Sequence, residues 1–187
     1  MSPVVAFSYM GGALGYALLG TAIGLAGLLL AGRRPGWRHA LLGVATLFVV
    51  FLALHPFPDP AALDCRDGGR PLRLRPFLYL DTFAAFWADR RPLMDWLTTR
   101  GIMAPVMNVV LFALPGAALA LLTRRWRAAL LLGFGVSLFN EIGQLSALFG
   151  LYPCRYRQFA VDDLILNPAG VLLGFAALRG MGRCRGG

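Results

Sequence analysis

The sequence lacks charge over unusually long stretches. Its 187 residues include no lysine and a single glutamate, Glu141, beside eight aspartates and eighteen arginines. Four long runs contain no charged residue, apart from Glu141 in the last one: 1–32, 39–58, 101–123 and 128–154. Each can cross the hydrocarbon core of a bilayer, which takes about 20 apolar residues. With 58% hydrophobic residues, the chain is therefore excluded as a single soluble domain.

A fifth uncharged run, 164–178, has only 15 residues. At about 1.5 Å per residue it would span roughly 22 Å of the roughly 30 Å required. We therefore expect its helix to begin earlier and to draw Asp162 and Asp163 into the interface, while Arg179 snorkels at the other end. The predicted fold is an all-α, polytopic transmembrane helical bundle that forms a single membrane domain, 1–187. Its five spans cover about 4–31, 39–56, 102–123, 128–150 and 158–178.

The arginines predict the orientation of this bundle. Half of them share loops with all eight aspartates, and the other half lie in segments without any acid. The second set is Arg33, Arg34, Arg38, Arg124, Arg125, Arg127, Arg179, Arg183 and Arg185. By the positive-inside rule, this arrangement predicts an N-terminus outside and a cytoplasmic C-terminus. It also argues against nucleic acid as a partner, because the positive charge lies in short segments beside the membrane rather than in one patch.

Cysteine and histidine are scarce as well, which limits the chemistry. Cys65 and Cys154 are predicted on the outer side and Cys184 on the cytoplasmic side. A Cys65–Cys154 disulfide would suit an extracytoplasmic setting, and two free thiols are the alternative. No spacing typical of a metal site or of a cofactor site is present, and His39 and His55 are predicted on opposite faces of the membrane. No Ser/His or Cys/His catalytic arrangement is evident.

The one large loop, 55–100, begins with an irregular part rich in proline, glycine and charge. From Phe77 onward, aromatic and aliphatic residues alternate with Arg90 and Arg91, which indicates one or two short helices in the outer interface. A lid over a site between the spans is the alternative interpretation.

Polar side chains recur at helical spacing within three spans. Ser137, Glu141 and Gln144 share one face of the fourth span, and Asp163 and Asn167 share a face of the fifth. From the rise per residue, Asn108 lies roughly 10 Å, Gln144 roughly 9 Å, and Glu141 and Asn167 roughly 13 Å below the outer surface. With Arg155 and Arg157 at the rim and Asp162 nearby, these residues predict one polar pocket that is open to the outside.

Packing alone would account for part of this pattern. Asn108, Gln144 and Asn167 could serve as interhelical hydrogen-bonding groups, which contribute roughly 0.6 kcal/mol each in membranes. Glu141 is harder to explain in this way, because a neutral glutamine would bond equally well at a lower cost of insertion.

The same residues carry a resemblance to a known family. Asn108 with Phe112–Gly116, Ser137–Gln144, and Arg157 followed by Val161–Asn167 and Gly170 are similar to the VanZ-like family, over roughly residues 75–178. Ala160 stands where this family commonly has an acidic residue, and Pro168 where a small polar residue is more usual. The resemblance implies a small polytopic protein of a bacterial plasma membrane with a role at the cell envelope, in a family named for teicoplanin resistance.

Three functions are compatible with these residues. The first is the binding of a lipid-linked or amphipathic ligand, such as an envelope intermediate or a lipoglycopeptide, by Asn108, Glu141, Gln144, Arg155, Arg157, Asp162, Asp163 and Asn167. The second is a membrane-embedded hydrolase or transferase with Glu141 as general base and Asp163 as acid or orienting group. The third is a structural subunit with a membrane-protein partner. A proton-coupled transporter that cycles protons on Glu141 is a weaker alternative, because the five spans show no evident inverted repeat. We favour the first, which requires no cofactor and no metal.

Overall fold

A computed structural model of the chain describes residues 3–184. Its helices are α1 (Pro3–Leu30), α2 (Trp37–Leu54), α3 (Leu78–Ala88), α4 (Leu93–Thr98), α5 (Arg100–Ala120), α6 (Trp126–Leu145) and α7 (Asp163–Cys184). Five of them, α1, α2, α5, α6 and α7, are long and apolar enough to cross a membrane. The predicted all-α, multi-pass bundle is thus confirmed. Arg185 and the side chains of Arg183 and Cys184 lie outside the described part of the chain.

Three helix ends, in the fourth and fifth spans, differ from the prediction by five or six residues. The fourth span ends at Leu145 rather than at 150, because the chain turns sharply at Ala147, Leu148 and Phe149, which all have positive φ. The fifth span begins at Asp163 rather than at 158 and gains its length at the other end, where the helix continues past Arg179 to Cys184. The long aliphatic stem of an arginine can accompany such a helix into the interface while its charge stays in water.

Parallel helices α5 and α7 pack backbone to backbone. A Cβ atom on Gly170 would lie 2.5 Å from the carbonyl oxygen of Val109, and one on Gly174 would collide with the carbonyl oxygen of Ala113. Small residues allow such close approach in membrane proteins, where packing rather than the hydrophobic effect joins helices. Around this contact lies a core of buried apolar side chains: Val49, Phe112, Ala120, Ala129, Val171 and Phe175.

One end of the bundle carries most of the residues outside helices. We call it the loop end: α2 ends there, α5 begins there, and segments 55–99 and 146–162 lie there. Cys65 and Cys154 form a disulfide with 5.5 Å between their Cα atoms. Beside it, strand β1 (Leu72–Arg73) pairs in parallel with β2 (Phe159–Ala160). The two loop segments are thus held together over the ends of the helices.

Short helices α3 and α4 occupy the remainder of the first loop segment and pack against α5. Their most exposed side chains include large apolar ones: Trp87 is 79%, Leu93 72% and Met94 68% exposed. A surface of this composition beside the spans is typical of residues that lie in the membrane interface.

The glycine contact between α5 and α7 generates a stability prediction. Gly174→Ala should lower the melting temperature of the detergent-solubilised protein, because the new methyl group collides with backbone that cannot rotate away; overpacking of this kind costs about 1–3 kcal/mol. Gly180→Ala, on the same helix with nothing within 4 Å of its Cβ position, is the matched control and should melt like the wild type. Equal melting temperatures for both variants would contradict the close approach.

Candidate functional site

Glu141 is buried although it stands only four residues before the end of α6. Four residues correspond to about 6 Å, so this carboxyl group is much nearer the loop end than the sequence-based depth suggested. It is 1% exposed because residues 158–162 cross over it. The backbone N–H of Ala160 donates a hydrogen bond to Glu141 Oε2 at 2.9 Å. Protein rather than lipid therefore shields Glu141.

Asp163 is the centre at which three spans meet. It is the first residue of α7, and its Oδ1 accepts a hydrogen bond from Asn108 Nδ2 of α5 at 2.6 Å. Its backbone carbonyl accepts one from Ser137 Oγ of α6 at 2.7 Å, and Asn167 Nδ2 donates to the same Ser137 oxygen at 3.0 Å. The Asp163 carboxyl group also neighbours that of Glu141. Asn108, Asp163 and Asn167 are therefore hydrogen-bonded through Ser137 in one largely buried network, and Glu141 adjoins it.

A cavity of about 200 Å³ opens on the other side of Asp163, between α3, α5 and the start of α7. Its polar lining residues are Arg73, Tyr79, Arg100, Asn108, Gln158, Asp162 and Asp163. Of the residues predicted from the sequence, Asn108, Asp162 and Asp163 line it. Glu141 and Asn167 do not line it: Glu141 is bonded to the N–H of Ala160, and Asn167 to Ser137.

Asp162 and Asp163 have different partners although they are adjacent in sequence. Asp162 is buried and precedes α7, and its Oδ1 accepts a hydrogen bond from the backbone N–H of Phe77 at 2.6 Å. Phe77 has a left-handed conformation, with φ of 60°, immediately before α3. Asp162 therefore fixes where α3 begins, whereas Asp163 joins the spans.

Gln144 and Arg157 lie at the end of α2 rather than in the cavity. The last three carbonyl groups of α2 accept hydrogen bonds from four side chains of other segments. Tyr9 donates to Leu52 at 2.8 Å, and Tyr156 donates to Leu54 at 2.8 Å. Ala53 accepts from both Gln144, at 3.3 Å, and Arg157, at 2.8 Å. A cation at a helix C-terminus is also favoured by the helix dipole. Burial raises the pKa of Tyr156 to about 12, so its hydroxyl stays protonated and remains a donor.

Arg155 likewise does not stand at the mouth of the cavity. Its Nε donates to the carbonyl oxygen of Arg70 at 3.1 Å, and its backbone N–H donates to the carbonyl oxygen of Gly68 at 3.3 Å. These bonds lie beside the Cys65–Cys154 disulfide, so Arg155 connects the two loop segments.

Arg73 and Arg100 take the position that the sequence suggested for Arg155 and Arg157. For Arg100 a signal was available, because Arg100, Ala104 and Asn108 recur every four residues along one face of α5. Arg73 reaches the cavity through the pairing of β1 with β2, which joins residues far apart in sequence and has no local signal.

A second and larger space, of about 700 Å³, lies between α1 and α2 on one side and α5 and α7 on the other. Its walls are apolar side chains such as Leu14, Phe48 and Leu114. It offers no group for acid–base chemistry or for recognition of a polar head, so the smaller cavity is the candidate functional site.

The Ala160–Glu141 bond leads to a prediction about stability. Glu141→Gln keeps an oxygen acceptor in the same place, so the melting temperature in detergent should stay close to that of the wild type. Glu141→Leu removes the acceptor and leaves a buried N–H group without a partner, which costs about 1–3 kcal/mol. If the leucine variant melts like the glutamine variant, the bond does not hold segment 158–162 in place.

The wall that α3 contributes to the cavity can be tested by cross-linking. A Cβ atom on Gly101 would lie 3.9 Å from the Cβ atom of Thr82, within the range of about 3.5 to 4.5 Å that a disulfide needs. Thr82→Cys with Gly101→Cys should therefore form a disulfide under mild oxidation, detected by intact mass before and after reduction. The matched control pairs Gly101→Cys with Asp81→Cys, whose native side chain is exposed and ion-paired to Arg75. Equal cross-linking of both pairs would show that α3 is not docked as described.

Comparison with known proteins adds the family. Neither a curated protein nor a solved structure matches the chain. The sequence model of the VanZ/LLP1 family matches residues 42–182, from α2 to α7. This match covers more than half of the chain and includes every residue of the buried network and of the cavity. The chain therefore belongs to the VanZ/LLP1 family.

Proposed function

We propose that this protein binds the polar head of a lipid-linked or otherwise amphipathic ligand in the cavity beside Asp163, at a bacterial plasma membrane. The observation that carries the proposal is the cavity itself, which gathers Arg73, Arg100, and the adjacent Asp162 and Asp163 from three segments at one end of a membrane bundle. Its volume of about 200 Å³ is below the roughly 300 Å³ at which drug-sized pockets begin. It suits a head group better than a whole amphiphile.

The lining supports a ligand with both polar and apolar parts. Arg73 and Arg100 form no ion pair within the described part of the chain, and guanidinium groups recognise phosphate and carboxylate through paired hydrogen bonds. Ala104 and Pro105 of α5 and Leu166 of α7 form an apolar part of the same lining. A ligand can therefore place its head between the charged residues while its tail stays in the bilayer.

The loop end is proposed to face the outside of the cell. The Cys65–Cys154 disulfide lies there, and disulfides persist in oxidising compartments. The arginine distribution of the sequence supports the same orientation, with the N-terminus outside and the C-terminus in the cytoplasm. The ligand would then come from the outer leaflet, in accordance with a role at the cell envelope and with the resistance to lipoglycopeptides for which the family is named.

A hydrolase or transferase is the second candidate, and the neighbouring carboxyl groups of Glu141 and Asp163 favour it. Two carboxyl groups can hydrogen-bond to each other only when one of them carries a proton, because carboxylates have no hydrogen to donate. Such a pair could deliver or accept a proton at the cavity wall. An enzyme would convert the bound ligand into a new product, whereas a binding protein would leave the ligand unchanged.

Native mass spectrometry of protein released gently from membranes tests the proposal. The wild type should carry a bound amphiphile, and Arg100→Gln should lose most of it, because the anionic part of the head loses a partner. Glu141→Gln should also lose the ligand if the charge of the buried network supports the site.

Arg75→Gln is the matched control for these variants. Arg75 belongs to the same loop, is exposed and is paired with Asp81 at 3.2 Å, so its loss should leave the ligand bound. A wild type without a bound amphiphile, or a ligand retained equally by all variants, would refute the proposal. A stoichiometric protein partner in place of a lipid would identify a subunit of an assembly, and conversion of the bound amphiphile would identify an enzyme.

A further inference from the structure

We propose that the head of the ligand carries an anionic group next to a primary ammonium group, as a phosphoethanolamine head group does. This inference rests on the proposed function and specifies its ligand class. It follows from the way in which charges of both signs are arranged around the cavity.

The cavity contains opposite charges that are not joined in ion pairs. Arg73 and Arg100 line it together with Asp162 and Asp163, yet no ion pair joins an arginine to an aspartate there. All four ion pairs among the described residues lie elsewhere in the loops. The hydrogen bonds of the two aspartates come from neutral donors, the Phe77 N–H group and the Asn108 amide. A ligand of one charge sign would satisfy only half of this lining.

The two kinds of charge also lie at different levels. Asp162 is 9% exposed and belongs to the inner wall, whereas Arg73 and Arg100 are exposed and stand at the mouth. From the inside outward, the charged part of the lining is therefore acidic and then basic. A phosphoethanolamine head has the matching order, since its ammonium group is terminal and its phosphate follows.

The acidic part of the lining fits an ammonium group better than a metal ion. Within the described residues, no group of three or more histidine, cysteine, aspartate or glutamate side chains could hold a metal. Asp162 uses Oδ1 for the bond to Phe77, and no described residue donates to its Oδ2, which is free to accept. A primary ammonium group supplies three N–H donors to such oxygens.

The same lining disfavours a quaternary ammonium group. Choline has no N–H group to donate and is recognised by aromatic cages. Tyr79 is the single aromatic residue that lines this cavity. A choline head would therefore add no hydrogen-bond donor for the inner carboxylates, and a glycerol head would add no countercharge.

The test uses delipidated full-length protein in detergent, titrated separately with phosphatidylethanolamine, phosphatidylcholine and phosphatidylglycerol of identical chains, with occupancy read by native mass spectrometry. Phosphatidylethanolamine should bind about tenfold or more tightly than the other two, since a site built around N–H donors rejects heads that lack them. Free phosphoethanolamine at the same concentration should not displace it. Displacement would show that the head alone determines binding and would overturn the membrane source of the ligand.

Two variants test recognition of the ammonium group and of the anionic group separately, and a third serves as the control. Asp162→Asn keeps an oxygen that can accept from Phe77, so α3 should stay in place, but the preference for phosphatidylethanolamine over phosphatidylglycerol should disappear. Arg100→Gln should weaken both lipids, and Arg75→Gln should weaken neither. Unchanged melting temperatures establish that each variant is folded.

The outcomes distinguish this inference from the proposed function. Equal binding of the three lipids by the wild type, with loss of all three in Arg100→Gln, would overturn the ammonium inference and leave amphiphile binding intact. No binding of any lipid would overturn both. A preference for phosphatidylethanolamine that survives Asp162→Asn would show that its amine is recognised elsewhere.

Discussion

Main-chain polar groups at the end of a helix need partners inside the protein wherever water is excluded, and the loop end of this bundle is built around that requirement. The last carbonyl groups of α2 accept from Gln144, Tyr156 and Arg157, and the N–H of Ala160 donates to Glu141. An unpaired buried group costs about 1–3 kcal/mol, so each of these contacts holds loop residues against the helices. The only glutamate is therefore an acceptor for the backbone as well as a neighbour of Asp163.

The five spans and the polar faces of α6 and α7 could be predicted because hydropathy and helical period are local properties of the sequence. The end of α6 could not be predicted, because residues 146–154 are as uncharged as the helix before them. The turn there uses positive φ at Ala147, Leu148 and Phe149, residue types that give no turn signal. The positions of Arg155 and Arg157 depend on partners about 85 to 105 positions away along the chain. Composition predicted that these two arginines lie near the membrane surface, but it could not predict which groups they bind.

Asp163 belongs both to the contacts between the spans and to the wall of the cavity. Through Asn108 and Ser137 it joins α5 and α6 to α7, and it also forms part of the cavity wall. A ligand at that wall would therefore contact the group on which the packing of three spans depends. Asp162, one residue earlier, connects the same cavity to α3 through Phe77. Recognition and architecture thus use adjacent carboxylates.

The hydrogen bonds at the end of α2 also have a consequence for the order in which the protein is made. The carbonyl groups of Ala53 and Leu54 accept from Gln144, Tyr156 and Arg157, which follow them by 91, 102 and 104 residues. During synthesis, α2 therefore leaves the ribosome long before its partners exist. Until then, its end can be satisfied only by water at the membrane surface or by the insertion machinery. The newly inserted first half of the chain is thus an incomplete structure, and translation of segment 144–157 supplies the missing donors for the end of α2.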